Sequence, residues 1–293
     1  MELSFIGTSY SIMTGLILAV FYMLNKKLAY AGKPLPVIFW VFILHLPIFI
    51  LWVCVKPPHY VTLQYFLPGF AVIFLTVAGN LLTIRALSLS PFSLMIPVLG
   101  LSPVFASLIG IPLLHEWPNP LQWIGILLAV LGVFWLYAPV ERPWAVFSFW
   151  PSFIQERGAL SMAIAAFLWA MSAPMDRLAL RQADPQFHAL FVFTGFVIAL
   201  FIWLSVQGEM PDRPIERRYW PLLLITAAVG GLHYMMQLLA LQHTPAGPFE
   251  AIKRVISQMM ALAIGYFLFQ EKITKPKLIG IAILSLGVPL IVV

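Results

Sequence analysis

Charge and sulfur are what this chain has least of. Of its 293 residues only 10% are charged, and one, Cys54, is a cysteine. A single cysteine excludes an intrachain disulfide and any thiolate metal cluster. So little charge excludes an ordinary soluble domain, in which roughly a quarter of residues are charged. Catalytic signatures are missing too. No HExxH, GxSxG or GxxxxGK[ST] occurs, and the six histidines include no i, i+4 pair that would set two ligands on one helical face. No alternating strand pattern competes with the apolar runs. The chain is not expected to be an enzyme, to use ATP, or to hold a cofactor or metal.

What the chain does have is apolar surface, with 61% hydrophobic residues and a mean hydropathy of +0.95. Such a composition takes lipid as its solvent. The expectation is an all-α integral membrane protein, multi-pass, in a bacterial inner (plasma) membrane. The net charge of +6 then bears on orientation in the bilayer and gives no reason to expect nucleic acid as a partner. Residues 1–15 carry no Lys or Arg ahead of the apolar core, so a cleavable signal is not expected and the first helix stays.

At roughly 20 residues per span, the apolar runs give ten transmembrane helices. Five lie near 10–27, 37–55, 69–86, 92–114 and 122–137, and five near 158–178, 187–206, 220–241, 247–269 and 277–292. The stretch 138–157 is rich in Trp and Pro and reads as an interfacial linker, with Trp144 and Trp150 at headgroup level.

The halves resemble one another. Ala86, Leu87, Ser90 and Pro91 recur 154 residues later as Ala240, Leu241, Thr244 and Pro245; then an offset of 155 pairs Ser102 with Ser257, Gly110 with Gly265, Glu116 with Glu271, Gly125 with Gly280 and Gly132 with Gly287. An offset of 150 pairs Lys27 and Leu28 with Arg177 and Leu178. Residues 1–137 and 158–293 therefore read as two copies of a five-helix unit. An odd number of helices per copy turns the second upside down, the inverted-repeat plan of secondary transporters with a site near the midplane.

Ten spans in two repeats, closed by Glu116, Gly125 and Gly132 in the first and by Glu271, Gly280 and Gly287 in the second, resemble the EamA-type carriers of the drug/metabolite transporter superfamily. The resemblance covers nearly the whole chain and implies a carrier of small organic solutes, a metabolite exporter among them, working by alternating access. Lys253 and Arg254 also look like the basic pair by which the triose-phosphate translocator branch holds phosphate.

The candidate substrate contacts are Lys253, Arg254, Glu250, His233, Gln237, Asn80, Gln258 and His45, all polar groups inside apolar spans. A charge at that depth costs about 2.5 to 3.5 kcal/mol, so it needs a partner or a task. Lys253 and Arg254 have Val98 and Leu99 as their repeat counterparts, which makes the basic pair one-sided. Two readings of that pair stand: an anion site, or an ion pair with Glu250 three and four residues earlier. Trp169, Phe167, Tyr234, Tyr266 and Phe249 lie in spans expected to border the cavity, where two readings stand: covering a substrate, or packing against helices and lipid. Glu116 and Glu271 are expected to complement the start of the helix that follows each of them. Asp176 and Arg177, at the end of the sixth span, are expected to pair with headgroups or each other. That leaves Glu250 as the only acid well inside a span.

These residues favour a carrier of a small anionic or zwitterionic metabolite such as an amino acid, organic acid or phosphorylated compound. The alternatives are an exporter of drugs or cations, which calls for an acidic cavity, and a non-transporting membrane structural protein. The partners expected are a small-molecule substrate and the lipid bilayer, with a homodimer as a candidate assembly. Basic residues are concentrated after the odd-numbered spans, with only Lys56, Arg177 and Arg181 on the other side, which places both termini outward; the family resemblance implies both inside.

Overall fold

Lipid gives an unpaired N–H or C=O no partner, so an apolar run in a bilayer closes its hydrogen bonds within itself as a helix. A computed structural model describes residues 5–29, 34–102, 104–105, 108–109, 117, 119–136, 138, 153, 155–208, 216–244 and 246–290. In chain order the helices are α1 (Phe5–Ala29), α2 (Pro34–Ile43), α3 (Leu46–Val55), α4 (Phe66–Leu89), α5 (Phe92–Val98) and α6 (Pro120–Leu136). They continue with α7 (Ala159–Leu180), α8 (Pro185–Val206), α9 (Trp220–His243), α10 (Ala246–Phe267) and α11 (Lys275–Leu290). Among the described residues there is no strand, and one isolated bridge joins Val61 to Ala183. Most of the 138–157 linker lies outside them.

Six stretches among the described residues are long and apolar enough to cross a membrane: Phe5–Leu28, Leu35–Val55, Leu63–Leu89, Ala159–Leu180, Pro185–Val206 and Arg217–His243. The other helices fall short for separate reasons. α6 and α11 have 17 and 16 residues, while α10 has 22 but carries Glu250, Lys253 and Arg254. The second span is broken between α2 and α3. Pro47 has no N–H to give the Ile43 carbonyl, and His45 N turns back to Phe42 O at 3.1 Å. His45 therefore sits at the break. Past α5 the backbone tightens into a 3-10 turn at Leu99–Leu101, whereas α7 runs unbroken through Pro174.

Packing crosses between the halves. The first helix of each half lies on the third of the other, α1 on α9 and α7 on α4, and α6 lies on α11. Glycine sets the last crossing. A Cβ on Gly132 would lie 2.8 Å from Gly280 O, and one on Gly287 would lie 2.9 Å from Gly125 O. The four glycines repeated along the sequence are thus one close backbone contact, in which each helix meets the other's bare side.

At the end where α1 stops, Lys26 Nζ donates to Glu271 Oε1 at 3.1 Å, and Phe92 N donates to the same oxygen at 2.8 Å. Glu271 therefore also serves the start of α5 in the other half, besides its charge acting on Lys277 at the start of the α11 that follows it, because the crossing of the halves brings α5 close. Glu116 lies outside the described residues. At the opposite end Asp184 accepts from His59 N at 2.6 Å, and Thr62 N donates to Gln182 O at 3.0 Å.

Candidate functional site

Between the halves the helices leave a cavity of about 50 Å3, room for a few water molecules. Its wall is Leu18, Phe21 and Tyr22 of α1, Phe42 and His45 at the α2–α3 break, Thr76 and Asn80 of α4, Trp169 of α7 and Phe193 of α8. α9 adds Gly230, His233, Tyr234 and Gln237, and α10 adds Lys253 and Arg254. The break at Pro47 brings His45 to this wall, and Gly230 makes room for it, since a Cβ there would overlap the imidazole.

Six of the eight expected contacts are on the wall: Lys253, Arg254, His233, Gln237, Asn80 and His45. Gln258 lies behind it, fully buried against Gly100. Glu250 also lies behind the wall and binds both cations. Being three and four residues before Lys253 and Arg254, it shares their helical face. Its Oε1 takes Lys253 Nζ, and its Oε2 accepts from Arg254 Nε at 3.2 Å. Lys253 Nζ also donates to Gln237 Oε1 at 3.2 Å and stands 4.5 Å from the Phe249 ring centroid. Arg254 is 2% exposed, and its Nη1 has no hydrogen-bond partner. The Nε2 atoms of His45 and His233 are buried and unpartnered as well.

Asp176 corrects the expectation drawn from its position. It is fully buried. Oδ1 accepts from His188 Nε2 at 3.0 Å and from the Tyr234 hydroxyl at 3.1 Å, and Oδ2 accepts from Gln237 Nε2 at 3.0 Å. On the far side of the imidazole, the Tyr65 hydroxyl meets His188 Nδ1 at 2.8 Å. One hydrogen-bonded chain therefore runs from Tyr65 through His188, Asp176, Gln237 and Lys253 to Glu250. The physical reason is the short α7–α8 connection. Asp176 is four residues before the end of α7 at Leu180, and His188 is four after Asp184, so folding the hairpin sets them face to face. That equal distance from a turn was the signal available in the sequence. Buried charge is thereby balanced: Lys253 and Arg254 against Glu250 and Asp176, as low-dielectric surroundings require.

The aromatic residues divide between the two readings. Trp169 and Tyr234 are on the cavity wall, but Phe167 and Tyr266, 41% and 53% exposed, face outward from the bundle. Phe21, Tyr22, Phe42 and Phe193 supply the remaining rings.

A model of the EamA-like transporter family matches this chain twice, over residues 5–138 and 156–293. The chain belongs to the EamA-like transporter family. Membership marks it as an integral, multi-pass membrane transporter rather than an enzyme. This EamA-like chain is 27% identical over 234 residues to the "Probable magnesium transporter NIPA9" of Arabidopsis thaliana, an alignment covering 74% of this chain and 66% of that protein. A solved crystal structure, described only as that of a protein, aligns over 96% of both chains with a TM-score of 0.65 at 15% identity. That is a likeness of fold alone.

Proposed function

We propose that this EamA-like transporter carries a small organic solute bearing a carboxylate, as a zwitterion or an anion, by alternating access. Two inverted five-helix repeats, residues 1–137 and 158–293, supply ten spans and rock about the cavity between them. The exchange of first and third helices between the halves supports this arrangement, as does the doubled family match. The helical architecture also fits the inner (plasma) membrane of a bacterium better than an outer one, where barrels prevail.

The observation that carries the substrate reading is Arg254 Nη1, buried on the cavity wall with no acceptor. An unsatisfied buried donor of a charged group is costly, and a carboxylate is the acceptor whose geometry an Arg fork matches. Lys253 can turn from Glu250 to the same anion. The aromatic lining suits an apolar solute body, and the balance of two buried cations against two acids favours a solute of no net charge. At about 50 Å3 the cavity is smaller than a metabolite pocket, so it widens on loading. A second reading comes from the relative named as a probable magnesium transporter. A divalent cation takes a shell of oxygens, and Thr76, Asn80 and Gln237 offer some, but Lys253 and Arg254 would repel it.

The test is a thermal-shift titration of the purified protein with L-phenylalanine, phenylacetate, inorganic phosphate and Mg2+. The carboxylates are expected to raise the melting temperature of the parent but not of Arg254→Lys, which keeps the charge and loses the fork. Equal shifts in parent and variant, or stabilisation by Mg2+ alone, would overturn the reading.

A further inference from the structure

The chain of hydrogen bonds ending at Lys253 contains a group that the substrate reading leaves without a task. His188 and Asp176 are fully buried, joined at 3.0 Å, and stand behind the cavity wall. With His188 Nε2–H donating to the carboxylate, Nδ1 accepts from the Tyr65 hydroxyl, and every polar atom of the pair is satisfied with the imidazole neutral. A hydroxyl both donates and accepts. Tyr65 can therefore turn its O–H away and accept from Nδ1–H, so the imidazole takes a proton with no repacking. Tyr65, itself fully buried, directly follows the exposed residues 59–64 at the end of the bundle, the direction from which a proton arrives.

We propose that the His188–Asp176 pair is a proton-binding site that couples solute transport to the proton gradient, one proton being bound together with one carboxylate. The proton enters past Tyr65 to His188 Nδ1, forms the imidazolium beside Asp176, and is given up from the same nitrogen to the opposite side of the membrane once the halves have rocked. No other bond changes. Binding raises the charge around the cavity from balanced to one positive, because the imidazolium neutralises the acid whose Oδ2 holds Gln237 Nε2. The amide oxygen of Gln237 holds Lys253, so Lys253 loses the counter-charge behind its partner and turns more readily to a solute carboxylate. The coupling is reciprocal: an anion in the cavity tightens proton binding by the same factor. The other titratable groups around the pair are Tyr234 of α9, bonded to Asp176 at 3.1 Å, Lys253, Arg254 and Glu250 of α10, Arg177 on α7 itself and Asp184 in the connection. Glu250 is already committed to two cations, and Asp184 to the His59 and Tyr60 amides, which leaves the imidazole as the base.

This rests on the carboxylate reading, and two measurements separate them. Infrared difference spectra of the protein in lipid film, between acidic and alkaline buffer, are expected to show an imidazolium signal that vanishes in His188→Gln and shifts in Asp176→Asn. Glutamine keeps a donor for Asp176 but does not titrate. In proteoliposomes held at zero potential, an inward proton gradient is expected to drive phenylalanine uptake in the parent. In His188→Gln the driven uptake falls by about tenfold while phenylalanine counterflow persists. Absence of the imidazolium signal, its survival in His188→Gln, or gradient-driven uptake unchanged in that variant would overturn the proton site. Loss of counterflow in the parent would overturn the substrate reading instead, and the infrared result would then decide the proton site alone.

Discussion

Removing Glu250 gives the sharpest test of how α10 keeps its charges in the bundle. The side chain is 2% exposed, against 5% for Lys253 and 2% for Arg254, so all three have exchanged water for one another. Glu250→Ala leaves two buried cations with no shared anion, and breaking a buried pair in this way costs about 3 to 5 kcal/mol. Arg254→Met removes one cation and leaves Glu250 with Lys253, one to one. It loses a charged hydrogen bond, worth about 1.5 to 3 kcal/mol, and also relieves the unsatisfied Nη1, so its net cost lies below that of Glu250→Ala. In the double variant Lys253 still has Gln237 and, beyond it, Asp176, so the two losses are less than additive by about 0.5 to 3 kcal/mol. Thermal unfolding in detergent, followed by tryptophan fluorescence, gives the order: parent, Arg254→Met, then Glu250→Ala. If Glu250→Ala melts at or above Arg254→Met, or the two losses simply add, Glu250 is not the shared anion described here.

Three further outcomes follow from single contacts. Gly287→Leu puts a side chain against Gly125 O and the Leu128 Cβ, so it should force α6 and α11 apart, lowering the melting temperature and the monodisperse yield on size exclusion; Ala at exposed Leu286 of the same helix should change neither. Gly230→Ala should displace the His45 imidazole and fill part of the cavity, abolishing the thermal shift by phenylalanine while the protein stays folded; an undiminished shift would place the solute elsewhere. Lys26→Met should remove one partner of Glu271 and loosen the end of the bundle at Phe92, raising the rate at which a cysteine placed at exposed Leu89 reacts with a membrane-impermeant maleimide. An unchanged rate would show that this ion pair does not hold that end closed.

Much of the scaffold was legible because helices in lipid answer to one local rule, the uninterrupted apolar run. The duplicated glycines were legible as a pattern, but their purpose was not. Only packing shows that Gly125 and Gly132 meet Gly280 and Gly287. Span count was read from apolar runs, and α6, α10 and α11 show its weakness: two are short, and the third carries three charges at the site. The polar wall was legible in part, since a polar residue in an apolar span must face protein or water, and six of eight such residues line the cavity. Gln258 met the same criterion by packing against Gly100. Asp176 was misread because sequence position alone put it near a membrane surface, whereas α7 continues one full turn past it and the α7–α8 hairpin folds His188 over it.

The duplication and its departures divide the work of the molecule. Lys26 and Asp176 occupy the same place in the two copies, one residue before the matched Lys27 and Arg177, yet they carry opposite charge. Lys26 pairs with Glu271 at one end of the bundle, and Asp176 takes His188, Tyr234 and Gln237 toward the other. Val98 and Leu99 are buried and apolar where the second copy has Lys253 and Arg254. In the proposed cycle the halves exchange roles as they rock, but these substitutions make the two ends unlike. One end closes on Glu271, four residues past α10, which holds Lys26 of α1 and the Phe92 amide. The other closes on a chain of hydrogen bonds that reaches the cationic wall of the cavity. Opening the first end has to part Lys26 from Glu271 and Phe92 N from the same carboxylate oxygen. Opening the second has to part Tyr65 and the α8 residue His188 from Asp176 of α7, in bonds that depend on the charge of His188 and on what Lys253 holds. In the proposed cycle this asymmetry of charge ties solute and proton occupancy to one end more tightly than to the other.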